Sequence, residues 1–372
     1  MIYLDNAATS KMSKKAIEAE VYVLENYYAN ASAIHSYGME SENHIKKSRK
    51  EIANIINAKE SEIYFTKGAT ESNNIVIASL ASKEGLALSS SIEHSSVYDA
   101  LNNSDFKKVT YLKNRSDGQI DLDDLKQNLS HEVKLLSLIY VNNETGSITD
   151  IKTISKIVKD FDENILIHLD ATQALGKIPV DVEDLGVDTM SFSGHKFHGP
   201  KGVGGLYVKK KALSKIKPLL FGGRQEVISS GTENHPAIYA MGVALREVVD
   251  EDNYSYIDGL RTYLKSQIEE NISDYMVISP EESYSPYILN VAFKNIKSEV
   301  LVHFLENREI YVSSGSACAL GAKSRILSAL GVPADYIDGA IRFSFSRDIR
   351  REDLDTTVEA LREGIEMIRG VF

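Results

Sequence analysis

Across residues 15–250, short apolar runs alternate with stretches that bring apolar side chains back every three or four positions. This alternation limits the fold more than any other feature of the chain. The runs are Ile63–Thr66, residues 135–141, residues 165–169, Thr189–Ser193 and residues 205–208. They are apolar without strict alternation, the pattern of strands covered on both faces. Between two of them, segment 151–160 places Ile151, Ile154, Ile157 and Val158 on one helical face. Strands interleaved with such helices predict an α/β fold with a mainly parallel central sheet covered by helices. After about residue 255 the texture changes: a helical pattern at 256–271, an apolar run at 287–293, a helix at 298–308, a strand-like 341–345 and an amphipathic helix over 351–369. A chain of 372 residues favours two domains over one core. The expected division is a large α/β domain over 15–255 and a smaller α+β domain built from 1–14 and 256–372, which carries the cysteine.

The net charge of −11 argues against direct nucleic-acid binding, which needs clustered Lys and Arg. No apolar stretch approaches a membrane span, and Met1-Ile-Tyr-Leu-Asp5 lacks the basic region of a secretory signal. The single cysteine, Cys318, cannot form an internal disulfide, and the expected location is cytoplasmic. No Cys/His cluster has zinc-ligand spacing.

The strands end in reactive groups. Thr189–Ser193 runs into Gly194-His195-Lys196, and residues 165–169 run into Asp170-Ala-Thr-Gln173. A lysine just past a strand is a candidate Schiff-base amine. An aldehyde cofactor with a pyridine ring needs such a lysine and also a carboxylate that keeps the ring nitrogen protonated, the role open to Asp170. Ile63–Thr66 leads into Lys67-Gly-Ala69-Thr70, a glycine turn feeding a helix; this suits a phosphate and equally a plain helix cap. Residues 135–141 end at Asn142-Asn143-Glu-Thr-Gly146. In open α/β sheets ligands bind beyond the carboxyl ends of the strands, so Thr70, Asn143, Asp170, Gln173, Ser193, His195 and Lys196 are expected around one pocket. His94, in Ile92-Glu-His-Ser-Ser96, is either a structural imidazole or one that stacks on a ring and moves protons. Cys318, among small residues in Ser313-Ser-Gly-Ser-Ala-Cys318, is either a buried apolar residue or an exposed nucleophile. Arg342 suits a substrate carboxylate or a structural ion pair.

Together these segments resemble the NifS/IscS-type cysteine desulfurases, in the class V branch of fold-type I pyridoxal-phosphate enzymes. The resemblance begins at Tyr3-Leu-Asp-Asn-Ala-Ala-Thr9 and runs through residues 66–74, Glu93-His94, 142–146, 168–173 and 193–205. It continues at Ser230-Gly-Thr-Glu-Asn234 and residues 313–318 and ends at 342–347. It implies that Lys196 binds pyridoxal 5'-phosphate covalently, that Asp170 pairs with the pyridinium nitrogen, that Gln173 meets the ring hydroxyl and that His94 stacks on the ring. Ala69, Thr70, Ser193 and His195 would hold the phosphate, and Thr232 would reach the phosphate of a neighbouring subunit in a homodimer. Asn143 and Arg342 would orient the amino acid. The chain departs from the family's pattern where Ser229 stands in place of the usual arginine, where Asn30-Ala-Ser-Ala33 replaces Asn-Pro-Ser-Ser, and in a shorter stretch from Cys318 to Ser324.

The implied activity converts L-cysteine to L-alanine and leaves the sulfur as a persulfide on Cys318. The sulfur then passes to an acceptor, a scaffold protein or tRNA thiolase, serving iron–sulfur clusters, thiolated tRNA or a thio-cofactor. A selenocysteine lyase, a class V aminotransferase and a non-catalytic protein that keeps the fold are the alternatives.

Overall fold

The computed structural model describes residues 1–223, 226–314 and 324–371. In chain order the strands are β1 (Ile2–Tyr3), β2 (Ile63–Thr66), β3 (Leu86–Ser90), β4 (Lys108–Leu112), β5 (Val133–Ile139) and β6 (Leu166–Asp170). They continue with β7 (Thr189–Ser193), β8 (Gly204–Val208), β9 (Tyr275–Val277), β10 (Ile288–Phe293), β11 (Ile310–Tyr311) and β12 (Ala340–Ser344).

Seven strands form one sheet in the order β2-β8-β7-β6-β5-β3-β4. The pairs β4–β3, β3–β5, β5–β6 and β6–β7 are parallel, whereas β8 runs antiparallel to both β7 and β2. The reversal follows from chain length. Residues 194–203 are too few for a crossover, which needs about a dozen residues or more, so the chain turns back beside β7. The helix Ile151–Phe161 links β5 to β6, capped by Asp150, whose Oδ1 accepts the Thr153 N–H at 3.1 Å. Its Ile151, Ile154 and Val158 are buried against the sheet cluster, with Ile157 packed at the margin. Each such branched side chain withdrawn from water stabilises the fold by about 1.5–3 kcal/mol.

A second apolar cluster takes Leu4 together with residues between Ile257 and Ile368, around the antiparallel sheet β12-β10-β9. Leu4 reaches it because β1 pairs in parallel with β11. The helices run over Tyr254–Asn271, Ser298–Glu306 and Arg351–Val371, close to the bounds expected from periodicity.

Candidate active site

The carboxyl ends of β5, β6 and β7 open on one side of the sheet, where a cavity of about 620 Å³ lies. Ala69, Thr70, His94, Asn143 and Asp170 line it, as do Gln173, Ser193, His195, Lys196 and Arg342. The structure thus brings together every residue expected at the site except two. Thr232 is exposed and outside the lining, and Cys318 lies outside the described residues.

Lys196 follows β7 in a short turn, and its Nζ donates to the carbonyl oxygens of Ala7 and Ala8 at 2.7 and 2.8 Å. Gln173 Nε2 donates to the same Ala7 oxygen at 2.8 Å, while Gln173 Oε1 accepts from Lys177 Nζ at 2.6 Å. Burial pushes the Lys177 amine down to about 7, and the positive charges of Lys196 and Arg342 act in the same direction.

Asp170 closes β6 with its carboxylate buried. Oδ1 accepts the Thr172 N–H at 3.0 Å and Oδ2 accepts from Asn73 Nδ2 at 3.0 Å. His94 caps the helix Ser95–Asn102: its Nδ1 accepts the Ser96 N–H at 3.1 Å. Burial lowers its basicity, opposed by Asp170 and reinforced by Lys196. This histidine caps a helix and also lines the cavity.

Arg342 lies on β12 and lines the cavity. Its Nη2 donates to Asp5 Oδ1 at 2.8 Å and its Nη1 to the Asn143 carbonyl at 2.9 Å, which is the structural ion pair. Its Nε is buried without an acceptor among the described residues, as is Asn143 Oδ1 without a donor. Buried polar atoms left unpaired beside a cavity are costly unless a ligand meets them.

At another part of the cavity Gly68, with φ +148°, turns the chain from β2 into the helix Ala69–Leu80. A side chain there is strained, and glycine lets the helix start directly on Ser193, whose Oγ accepts the Ala69 N–H at 2.8 Å. His195 approaches Thr9 Oγ1 at 3.2 Å. Burial holds its imidazole at about 4, hence neutral, with Lys196, Lys201 and Lys177 adding to the effect. Ser229, where the resembled family carries arginine, donates to Glu71 Oε1 at 2.8 Å.

This donor set fits a phosphorylated pyridine aldehyde. A helix N-terminus with Thr70 and Ser193 suits the phosphate, a buried carboxylate suits a protonated ring nitrogen, and an amine suits the aldehyde.

Sequence reasoning passed over several lining residues. Glu93 is fully buried, its Oε1 accepting the Ile139 N–H at 2.7 Å and its Oε2 unpaired among the described residues. Burial, with the nearby charge of Asp170, holds this carboxyl well above the usual carboxylate range. Glu144 Oε2 accepts from Ser324 Oγ at 2.7 Å. Arg325 donates to the carbonyls of Ser91 and Glu93 and lies 3.9 Å from the centre of the Tyr98 ring. Ser72 and Asn73, wholly buried on the helix that follows β2, were passed over as well.

Comparison with known proteins agrees with this geometry. The family model described as aminotransferase class-V matches residues 2–357. A protein named cysteine desulfurase IscS from Dictyoglomus turgidum is 38% identical over 382 residues, covering 100% of this chain and 96% of that protein. One of the same name from Methanosarcina thermophila is 36% identical over 383 residues, covering 100% of this chain and 93% of the other. Among solved structures, a NifS-like protein superposes with a TM-score of 0.91 at 32% identity, over 98% of this chain and 99% of its own. A structure titled SspA in complex with cysteine gives 0.82 at 32% identity, over 93% of this chain and 99% of its own. A family model spanning nearly the whole sequence, and relatives this similar end to end, show that the chain belongs to the class-V aminotransferase family.

Proposed function

We propose that this protein is a pyridoxal 5'-phosphate-dependent cysteine desulfurase that converts L-cysteine to L-alanine and stores the sulfur as a persulfide on Cys318. The observation that carries the reading is the meeting on one cavity of Lys196, from the turn after β7, Asp170, from β6, and Arg342, from β12. The names of the relatives support it. Bound there, the cofactor supplies an electron-accepting ring.

The chain's own residues do the rest. Asp170 holds a proton at the ring nitrogen, and Ala69, Thr70, Ser193 and His195 hold the phosphate. Gln173, already fixed by the Ala7 carbonyl and Lys177, meets the ring hydroxyl. Asn143 and Arg342, both on the cavity lining, orient the amino acid. Lys196 and His94 carry protons, and the Cys318 thiolate takes the sulfur.

The active form is a homodimer in which Thr232 approaches the other subunit's phosphate. Support comes from the exposure of Thr232 and of Leu219, Leu220, Phe221 and Val227 in the same segment, a concentration of apolar surface unusual for a free face. Among the described residues no helix is long and apolar enough to cross a membrane. The proposed setting is the cytoplasm, with the persulfide passing to an acceptor protein for iron–sulfur clusters, thiolated tRNA or a thio-cofactor.

The decisive experiment replaces the only cysteine. Cys318→Ala should keep the cofactor's absorption band and its change on adding L-cysteine, yet lose alanine production by several orders of magnitude. Near wild-type alanine formation would overturn the reading.

A further inference from the structure

Asn73 is wholly buried on the helix Ala69–Leu80 and makes three polar contacts. Its Nδ2 donates to Asp170 Oδ2 at 3.0 Å and to Ser96 Oγ at 2.9 Å, and its Oδ1 meets His168 Nε2 at 2.9 Å. A carboxylate only accepts, so the amide nitrogen must face Asp170 and the carbonyl oxygen must face His168. His168 therefore carries its proton on Nε2, and its Nδ1 accepts from Thr189 Oγ1 at 2.8 Å.

The same logic runs the other way. Ser96 Oγ receives an amide hydrogen from Asn73, and because His94 Nδ1 already accepts the Ser96 backbone N–H, the hydroxyl hydrogen turns toward that nitrogen, 2.8 Å away. With two donors aimed at Nδ1, the single proton of a neutral His94 sits on Nε2.

We propose that Asn73 is a positioning residue that aims the Asp170 carboxylate and, through Ser96, holds His94 as the Nε2–H tautomer. One buried amide thus orients a carboxylate and fixes a tautomer on the same cavity. Resting on the desulfurase reading, the consequence for the reaction is a division of labour. His94 starts each cycle able to give a proton from Nε2 and unable to take one there, so proton removal falls to Lys196.

The tautomer itself does not depend on what the substrate is, so its test stands apart from the activity. The holoenzyme is labelled with 15N-histidine, and long-range proton–nitrogen correlations are recorded, with His94 assigned through His94→Gln. The expected pattern is protonated Nε2 and unprotonated, hydrogen-bonded Nδ1. A proton on Nδ1 would overturn the proposal.

Asn73→Leu keeps the branched shape at a somewhat larger volume and removes both the donors and the acceptor. It should move the His94 nitrogens away from the wild-type pattern and weaken pyridoxal phosphate retention, measured by equilibrium dialysis, about ten- to hundred-fold. That is the scale of one hydrogen bond to a charged group. A folded Asn73→Leu protein with both readouts unchanged would overturn the assignment to Asn73. If that variant does not fold, Ser96→Ala, which leaves the backbone donor in place, should still shift the His94 Nδ1 signal; an unchanged signal counts against the relay.

Discussion

Arg342, on the cavity lining, spreads a planar fork over Asp5 and the Asn143 carbonyl while its buried Nε has no partner among the described residues. A lysine ammonium is a point charge and cannot serve both the ion pair and a substrate carboxylate in the same geometry. Arg342→Lys should therefore lower kcat/KM for L-cysteine about ten- to hundred-fold, the range of a lost charged hydrogen bond, with most of the change in KM. Steady-state kinetics beside a melting curve separates this from instability; an unchanged KM would leave Arg342 as an ion pair alone. At this scale the sequence showed which residue types were present but not their pairing. Arg342 was ambiguous because Asp5 is 337 positions away and only the fold makes them neighbours. Asn73 and Glu93 were hidden because a buried amide or acid leaves no periodicity behind. Cys318 lies outside the described residues, so its role rests on sequence.

Among the elements, the helix Ala69–Leu80 does most to build the site, since it supplies Ala69 and Thr70 to the cavity and Asn73 to Asp170. Its start depends on Gly68. An added methyl there meets a φ of +148° and comes 3.2 Å from Ser193 Oγ. Gly68→Ala should cost about 1–3 kcal/mol of stability through backbone strain and loosen the cofactor, read as a lower denaturation midpoint and faster loss on dialysis. An unchanged midpoint would show that the turn relaxes freely. The sheet was legible where strands are rich in branched residues, as in β5 and β6, with bounds missed by a residue or two, and at β7, whose bounds agree. It was not legible at β3 and β4. The β3 run ends in two serines, buried because Ser89 Oγ donates to the Ser137 carbonyl and Ser90 Oγ to Asn114 Oδ1, each at 3.0 Å. The β4 strand is an edge with an exposed Lys108, as edges often are.

For the molecule as a whole, His168 is the clearest link between pH and stability. Burial holds its ring at about 4, against an ordinary 6.5. Between those values the unfolded chain binds more protons than the folded one, so stability falls as pH drops through this window and levels off below it. For pH 5 the loss from this ring alone is of order 1–2 kcal/mol. Glu93, with its raised carboxyl, acts in the opposite sense, so the comparison belongs with a variant. In His168→Gln the fall in urea midpoint between pH 7 and pH 5 should shrink, and an equal fall would discount the ring. Light scattering should give a mass near twice 41.3 kDa; a monomer that still turned over L-cysteine would refute the proposed dimer.

The two carbonyls that receive Lys196 come from Ala7 and Ala8, and the neighbouring Asn6 donates to Ser344, 338 positions further on. Residues 6–8 thus take their places beside a strand made 338 positions later. At about 5–20 residues per second, synthesis keeps them waiting for tens of seconds. Until β12 is made, the strap that seats the lysine lacks its anchor at Ser344, and the cavity lacks the wall that Arg342 supplies.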